Sequence, residues 1–251
     1  MYTRIRKLVD NWASCSGDTI YKIVDNAEYV SFDIFDTLLK RDVQEPQDIF
    51  YIVERKTGRK GFAIERINAE IKAREDSQKS EINIHDIYFY INGTEEEINT
   101  LMKMELECEL EFSSVNYYFL KIFNYCVNCK KVILTSDMYL PREVILQLLE
   151  KNEITGFKRL YLSNEAGKTK LNGDLYEYIL KDLNIDSQKI IHIGNSFRAD
   201  YLAPRKIGIR SIKCSTYSNH MQRKYENVLG ADSLYYNVLN SFINNHISDS
   251  N

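Results

Sequence analysis

The chain has 251 residues, 44% of them hydrophobic and 12% aromatic, with only 10 Gly and 3 Pro; this excludes collagen-like, linker-like and predominantly disordered classes and fits one core with room for an insert. With 33 basic and 36 acidic residues the formal charge is −3, so no general attraction to nucleic acid or to an anionic membrane is expected. There is no apolar run of about 18 residues to span a bilayer, Asp10 interrupts any leader-like stretch, and the five cysteines are an odd count, so reduced thiols and a cytoplasmic location are the expectation.

In chain order, Ile5, Leu8, Val9 and Trp12 fall at helical spacing, with Arg4, Arg6 and Lys7 opposite. They predict a helix docked on the core, with a membrane-surface helix as the other reading. Five short runs rich in β-branched and aromatic residues follow, at 29–33, 132–136, 159–163, 190–194 and 209–213. Most are apolar on both faces, as strands of a parallel sheet are. Stretches of helical spacing separate the last four; Val144, Ile145, Leu148 and Leu149 mark one of them. The expected fold is therefore α/β, a Rossmann-like parallel sheet. Residues 41–125 are too many for one crossover helix and read as a helical cap inserted after the first strand. Residues 1–40 and 126–251 would form the core, with 1–28 as an N-terminal helical segment. Within the insert, 104–112 alternates like a strand, but the Thr94/Glu97 capping box and its Glu, Leu and Met content favour a helix. The glutamates at 95–97, 105, 107, 109 and 111 read as a solvated face.

In an open α/β sheet, ligands collect at the carboxyl ends of the strands. There the sequence places Asp33, Phe35, Asp36 and Thr37 after the first run, Ser136 and Asp137 after the second, Lys168 and Lys170 after the third, and Asn195 and Asp200 after the fourth. Each alone has a dull explanation as a turn residue or cap; four in order converge on one edge. Three other signals are set aside. The Gly167-Lys168-Thr169 triplet lacks the upstream glycine of a phosphate loop. Cys126 and Cys129 are one pair, too few to close a zinc site. His192 lies inside an apolar strand and reads as a core histidine.

The chain resembles the haloacid dehalogenase-type (HAD) hydrolases over nearly all of its length. FDIFDTLL matches the first motif, with Asp33 and Thr37; LTSDMYLP supplies Ser136; KLNGDLY supplies Lys170, with Lys168 as the fallback; GNSFRAD supplies Asn195 and Asp200. More narrowly, FDIFDTLLKR, FAIERINAEIKAR, IHDIY and TSDMYLP resemble a bacterial branch of these hydrolases associated with surface-polysaccharide genes. The resemblance implies Asp33 as a carboxylate nucleophile and Lys170 as its neutralising charge. Thr37, Ser136 and Asp137 would face the phosphate. Arg66 and Arg74, eight residues apart and so on one helix face of the cap, either reach an anionic or hydroxylated substrate group or are solvated or paired with Glu70. Mg²⁺ would be held by Asp33, the backbone carbonyl of Phe35, Asn195 and Asp200.

Two departures qualify the match. The family's phosphatases carry an acid/base Asp where Phe35 stands; Asp36 is adjacent, but it faces the site only if the chain bends there. Asn195 stands where Asp is usual and offers a carbonyl oxygen with less charge. The leading expectation is a Mg²⁺-dependent phosphatase of a small phosphorylated metabolite, a sugar or polyol phosphate for surface polysaccharide. The alternatives are a metal-free dehalogenase-like hydrolase, motivated by Phe35, and a non-catalytic module that binds a phosphorylated ligand.

Overall fold

The computed structural model describes residues 17–43 and 45–214; the helix expected around Ile5 and Trp12 lies outside them. In order, the elements are α1 (Gly17–Asp25), β1 (Tyr29–Phe32), β2 (Leu39–Arg41), α2 (Asp48–Thr57), α3 (Phe62–Asp76), α4 (Ile84–Tyr88), α5 (Glu95–Glu111), β3 (Ser113–Val115) and α6 (Tyr117–Cys129). Then come β4 (Lys131–Ser136), α7 (Arg142–Lys151), β5 (Arg159–Leu162), α8 (Ser163–Ala166), α9 (Asp174–Leu183), β6 (Ile190–Gly194), a π-helical turn (Phe197–Leu202), α10 (Ala203–Lys206) and β7 (Arg210–Lys213). The five expected strands are all present as one parallel sheet in the order β5-β4-β1-β6-β7. The chain builds one half outward from β1 through β4 and β5, then returns to build the other half through β6 and β7. That reversal beside β1 opens the crevice in which such sheets bind ligands.

Between β1 and β4 the chain forms helices α2 to α5, bounded by a ribbon that pairs β2 with β3 antiparallel, Leu39 opposite Val115. Three-residue strands carry too little periodicity to be read from sequence. The ribbon also corrects the boundary expected at residue 125. Phe119, Ile122, Phe123 and Cys126 form one buried stripe of α6, and Phe123 meets Phe32 of β1 edge to face at 5.6 Å. Most of α6 therefore belongs to the layer packed on the sheet. Each such fully buried ring contributes about 1.5–3 kcal/mol. Cys126 is buried and Cys129 exposed, both as free thiols.

Helix α5 runs through the alternating segment, and Thr94 and Glu97 make their reciprocal capping bonds. The alternation loses because a start fixed by a capping box commits the following residues to a 3.6-residue period. Its glutamates do not all face solvent, which corrects that expectation. Glu105 and Glu109 are fully buried, one turn apart, and each meets an arginine. Arg66 donates to both oxygens of Glu105, at 2.7 and 2.8 Å, and to Glu70 at 3.2 Å. Arg41 donates to both oxygens of Glu109, at 2.9 and 3.2 Å.

Arg66 is thus corrected as a substrate ligand. It is completely buried, its guanidinium is packed against the rings of Phe50 and Tyr139, and Glu105 takes its donors. Arg66→Met should cost about 3–5 kcal/mol, because it leaves Glu105 buried without its cation. Chemical denaturation of the variant measures this, and a loss below about 1 kcal/mol would show that Glu105 finds another partner.

Candidate active site

The first strand ends at Phe32, beside Leu134 of β4 and Ile193 of β6. Asp33 follows, its backbone N–H donating to the Ile193 carbonyl at 2.9 Å. The chain then turns sharply, with the N–H groups of Leu38 and Leu39 both reaching the Ile34 carbonyl at 2.9 and 2.8 Å. Asp36 takes the left-handed conformation at φ 58°, one that Asp and Asn adopt more readily than most residues. This is the bend that the sequence left open. It puts Asp36 beside Asp33 in the lining of one cavity of about 430 Å³.

The same cavity is lined by Ser136 and Asp137 from the end of β4, Lys170 from the loop before α9, and Asn195 and Asp200 from beyond β6. Lys170, not Lys168, is therefore the lysine of the site. Its Nζ donates to Asp33 Oδ1 at 2.5 Å and to Asp200 Oδ1 at 2.7 Å. All three side chains are almost wholly buried.

Thr37 is placed differently from expectation. Its hydroxyl donates to Asp33 Oδ2 at 2.9 Å, so it orients the carboxylate rather than a ligand. Asp137 lines the cavity, but its oxygens accept from the Lys170 backbone N–H at 2.8 and 3.0 Å; it holds the lysine loop in place. Arg66 does not reach the cavity, whereas Arg41 and Arg74 do.

Asp200 rises from the π-helical turn and is held on every side. The Ser196 N–H donates to Oδ2 at 2.8 Å, and Lys170 and His192 meet Oδ1. A Cβ at Gly194 would come within 2.5 Å of the Asp200 carboxyl carbon, so glycine is needed there for close approach. His192 is a buried histidine, as expected, but it also touches the site. Its Nε2 lies 3.1 Å from Asp200 and its Nδ1 2.8 Å from the Ser31 hydroxyl, which pairs with Thr135 at 2.9 Å. Burial holds the imidazole below its ordinary pKa against the pull of Asp200. The neutral ring thus donates through Nε2 to the carboxylate, a tautomer assigned from its partners. The sequence signal for this role is slight: a polar residue two before Gly194, in phase with Ser31 and Thr135 on adjacent strands.

The electrostatics follow from crowding. Burial, opposed by Lys170 and reinforced by Asp200, pushes the Asp33 carboxyl up to about 7. Burial also works against Asp200, but Lys170 and His192 hold it below the ordinary range. Asp200 and Asp33 together outweigh burial at Lys170 and keep the amine above its usual value. Asp36 remains open to cavity water; the surrounding protein raises its carboxyl, with Arg41 pulling the other way.

Two buried carboxylates therefore share one ammonium, a surplus of negative charge that suits a hard cation. Among the described residues no group of three His, Cys, Asp or Glu side chains could hold a metal. Asp33, Phe35, Asn195 and Asp200 line the one cavity; the groups that would hold an ion there are the two carboxylates, the Asn195 amide oxygen and the Phe35 carbonyl. Hard oxygen donors of this kind, completed by water, fit Mg²⁺.

No protein-family model and no curated protein matches the sequence. Solved structures do. The L-2-haloacid dehalogenase of Xanthobacter autotrophicus, with chloropropionic acid covalently bound, superposes at a TM-score of 0.57 and 10% identity, covering 85% of this chain and 88% of its own. A HAD-hydrolase of Bacillus subtilis bound to magnesium gives a TM-score of 0.57 at 11% identity, over 77% of this chain and 90% of its own. A HAD family enzyme of Bacteroides thetaiotaomicron, in complex with magnesium and inorganic phosphate, gives 0.54 at 16% identity, over 75% and 94%. The chain has the fold of the HAD hydrolases: a Rossmann-like parallel sheet with its cap inserted after the first strand. Among the described residues no helix is long and apolar enough to cross a membrane.

Proposed function

We propose that this protein is a hydrolase of the HAD type, a Mg²⁺-dependent phosphatase that acts on a small phosphorylated metabolite through an aspartyl-phosphate at Asp33. The observation that carries the reading is the Asp33 carboxylate, buried at the cavity floor between the Lys170 ammonium and the Thr37 hydroxyl. Those two donors fix its oxygens as a positioned nucleophile requires. Relatives of the fold that bind magnesium and phosphate support it. The motifs resemble the branch linked to surface polysaccharide, and on that resemblance we take a sugar or polyol phosphate as the substrate class; the odd count of cysteines supports a cytoplasmic setting.

Bound Mg²⁺ would neutralise the phosphate dianion as it meets an anionic nucleophile. The rest falls to the chain. An Asp33 oxygen attacks phosphorus, and the bond to the leaving oxygen breaks. Lys170 stays beside Asp33 as a fixed positive charge, and Ser136, at the end of β4, faces the incoming phosphate oxygens. The leaving oxygen needs a proton, and the water that later releases Asp33 must lose one. Phe35 can do neither; its ring is buried beneath the Arg41 guanidinium at 4.5 Å. Asp36, turned into the cavity by its left-handed backbone, is the carboxyl in place to do both.

Asp36→Asn should slow release of the phosphoenzyme by about 10²–10⁴-fold, the usual scale for general acid–base help. Single-turnover mixing with p-nitrophenyl phosphate, whose leaving group needs little acid help, would then show an acyl-phosphate that forms and persists. Hydrolysis at the wild-type rate would make Asp36 a turn residue only.

The test of the whole reading is hydrolysis of phosphate monoesters with and without Mg²⁺. Full activity in EDTA would favour the metal-free dehalogenase-like hydrolase that Phe35 suggests, and absence of any turnover would leave a ligand-binding module. Mg²⁺ should also raise the melting temperature more at pH 8 than at pH 6. Asp33, with its carboxyl near 7, must give up a proton to serve as a ligand. This weakens binding about tenfold at the lower pH.

A further inference from the structure

The charges around the cavity limit what the rest of the substrate can be. At the floor, Asp33, Asp36, Asp137 and Asp200 line the same cavity as Lys170, four carboxylates with one ammonium among them. A divalent cation leaves that end still negative before a phosphate dianion enters. At the cap end the lining guanidiniums belong to Arg41 and Arg74, and both are already answered. Arg41 is bidentate on Glu109. Arg74 donates to Glu81 at 2.7 Å and to Glu70 at 3.0 and 3.1 Å. Glu70 takes Arg66 as well, while Arg66 is matched by Glu105. The cap thus sets Glu70, Glu81, Glu105 and Glu109 against three guanidiniums.

A second anionic group on a substrate could use only the N–H donors that these pairs leave open on Arg41 and Arg74, with four carboxylates around three guanidiniums to oppose it. Pulling either guanidinium fully away would leave Glu109 or Glu81, both buried, without a cation, which costs far more than a surface pair returns. By contrast, Glu70 and Gln47 also line the cavity, and a carboxylate or amide oxygen accepts from hydroxyl or ammonium donors.

We propose that the substrate is a phosphate monoester whose organic part donates hydrogen bonds and carries no second anionic group, with the Glu70–Arg74–Glu81 and Arg41–Glu109 pairs rejecting carboxylated and doubly phosphorylated compounds. This rests on the phosphatase reading of Asp33 and adds the selectivity of the cap end.

The test is competition against Mg²⁺-dependent hydrolysis of p-nitrophenyl phosphate by the full chain. Two matched pairs serve as probes: glycerol 3-phosphate against 3-phosphoglycerate, and glucose 1-phosphate against glucuronic acid 1-phosphate. Within each pair only a hydroxymethyl group is exchanged for a carboxylate. The expected result is an inhibition constant about tenfold or more lower for the hydroxymethyl member. A carboxylated member that inhibits equally or better, or a pair in which neither inhibits, overturns the proposal and leaves the phosphatase reading standing. Failure to hydrolyse p-nitrophenyl phosphate at all overturns that reading first. Glu70→Gln should narrow the ratio by about threefold or more, because it frees Arg74 from one of its two carboxylates. An unchanged ratio overturns the part assigned to Glu70. The wild-type comparison stands whether or not the variant folds.

Discussion

Replacing Asp33 by Asn should lower the turnover of a phosphate monoester by about 10⁴-fold or more, the scale of loss when a nucleophile is removed, without unfolding the protein. The amide has nearly the shape of the carboxyl and can still accept from Thr37, which donates to Asp33 Oδ2. Lys170 keeps its second partner, Asp200. What is lost is the anionic oxygen that attacks phosphorus.

The variant should moreover be the more stable protein at pH 8. A carboxyl raised to about 7 from an ordinary 3.8 is one whose proton the folded state holds more tightly than the unfolded state. Its ionisation therefore works against folding, increasingly so as pH climbs from the ordinary value to about 7, and fully above that. Asn never ionises, so its advantage over wild type should be largest at pH 8 and shrink toward pH 5. Thermal melts at the two pH values, beside single-turnover assays, check both halves. Activity within tenfold of wild type would end the covalent mechanism.

Lys170→Met should be the most damaging single change to the core. The thioether fills much of the same volume but leaves Asp33 and Asp200 facing each other with no ammonium between them. Removing one partner from a buried ionic cluster costs about 3–5 kcal/mol, and that loss is expected in denaturant unfolding at pH 8. It should diminish as pH falls, because one carboxyl can then take a proton and end the repulsion. Turnover should vanish, since neither the nucleophile nor the phosphate oxygens retain their fixed positive charge. A loss of less than about 1 kcal/mol at pH 8 would mean that water reaches the pair and screens it.

The sheet, and which residues stand at its carboxyl edge, were legible in the sequence. Buried parallel strands write themselves as short apolar runs, and all five were read within a residue or two of their ends. Because ligands gather at the carboxyl ends of such strands, knowing where a run stops was enough to gather Asp33, Ser136, Lys168 or Lys170, Asn195 and Asp200 on one edge; the cavity holds Lys170. The capping box at Thr94 was enough to settle a helix against an alternating pattern.

Only the tertiary structure decided the rest, for reasons that are physical. A glutamate looks the same in sequence whether it faces water or an arginine 39 positions away; the partnership of Glu105 with Arg66 arises from how α3 and α5 meet, and it turned a presumed solvated face into a buried ionic core. Asp36 could have pointed outward, as the alternation of extended backbone requires; a left-handed φ aimed it inward. His192 reaches Asp200 because the π-helical turn returns the carboxylate to the strand that carries the histidine, and Gly194 leaves room for it. Local patterns report the period of burial along one segment. The pairing of buried charges and the sign of a single backbone angle are settled by contacts between segments far apart in the chain.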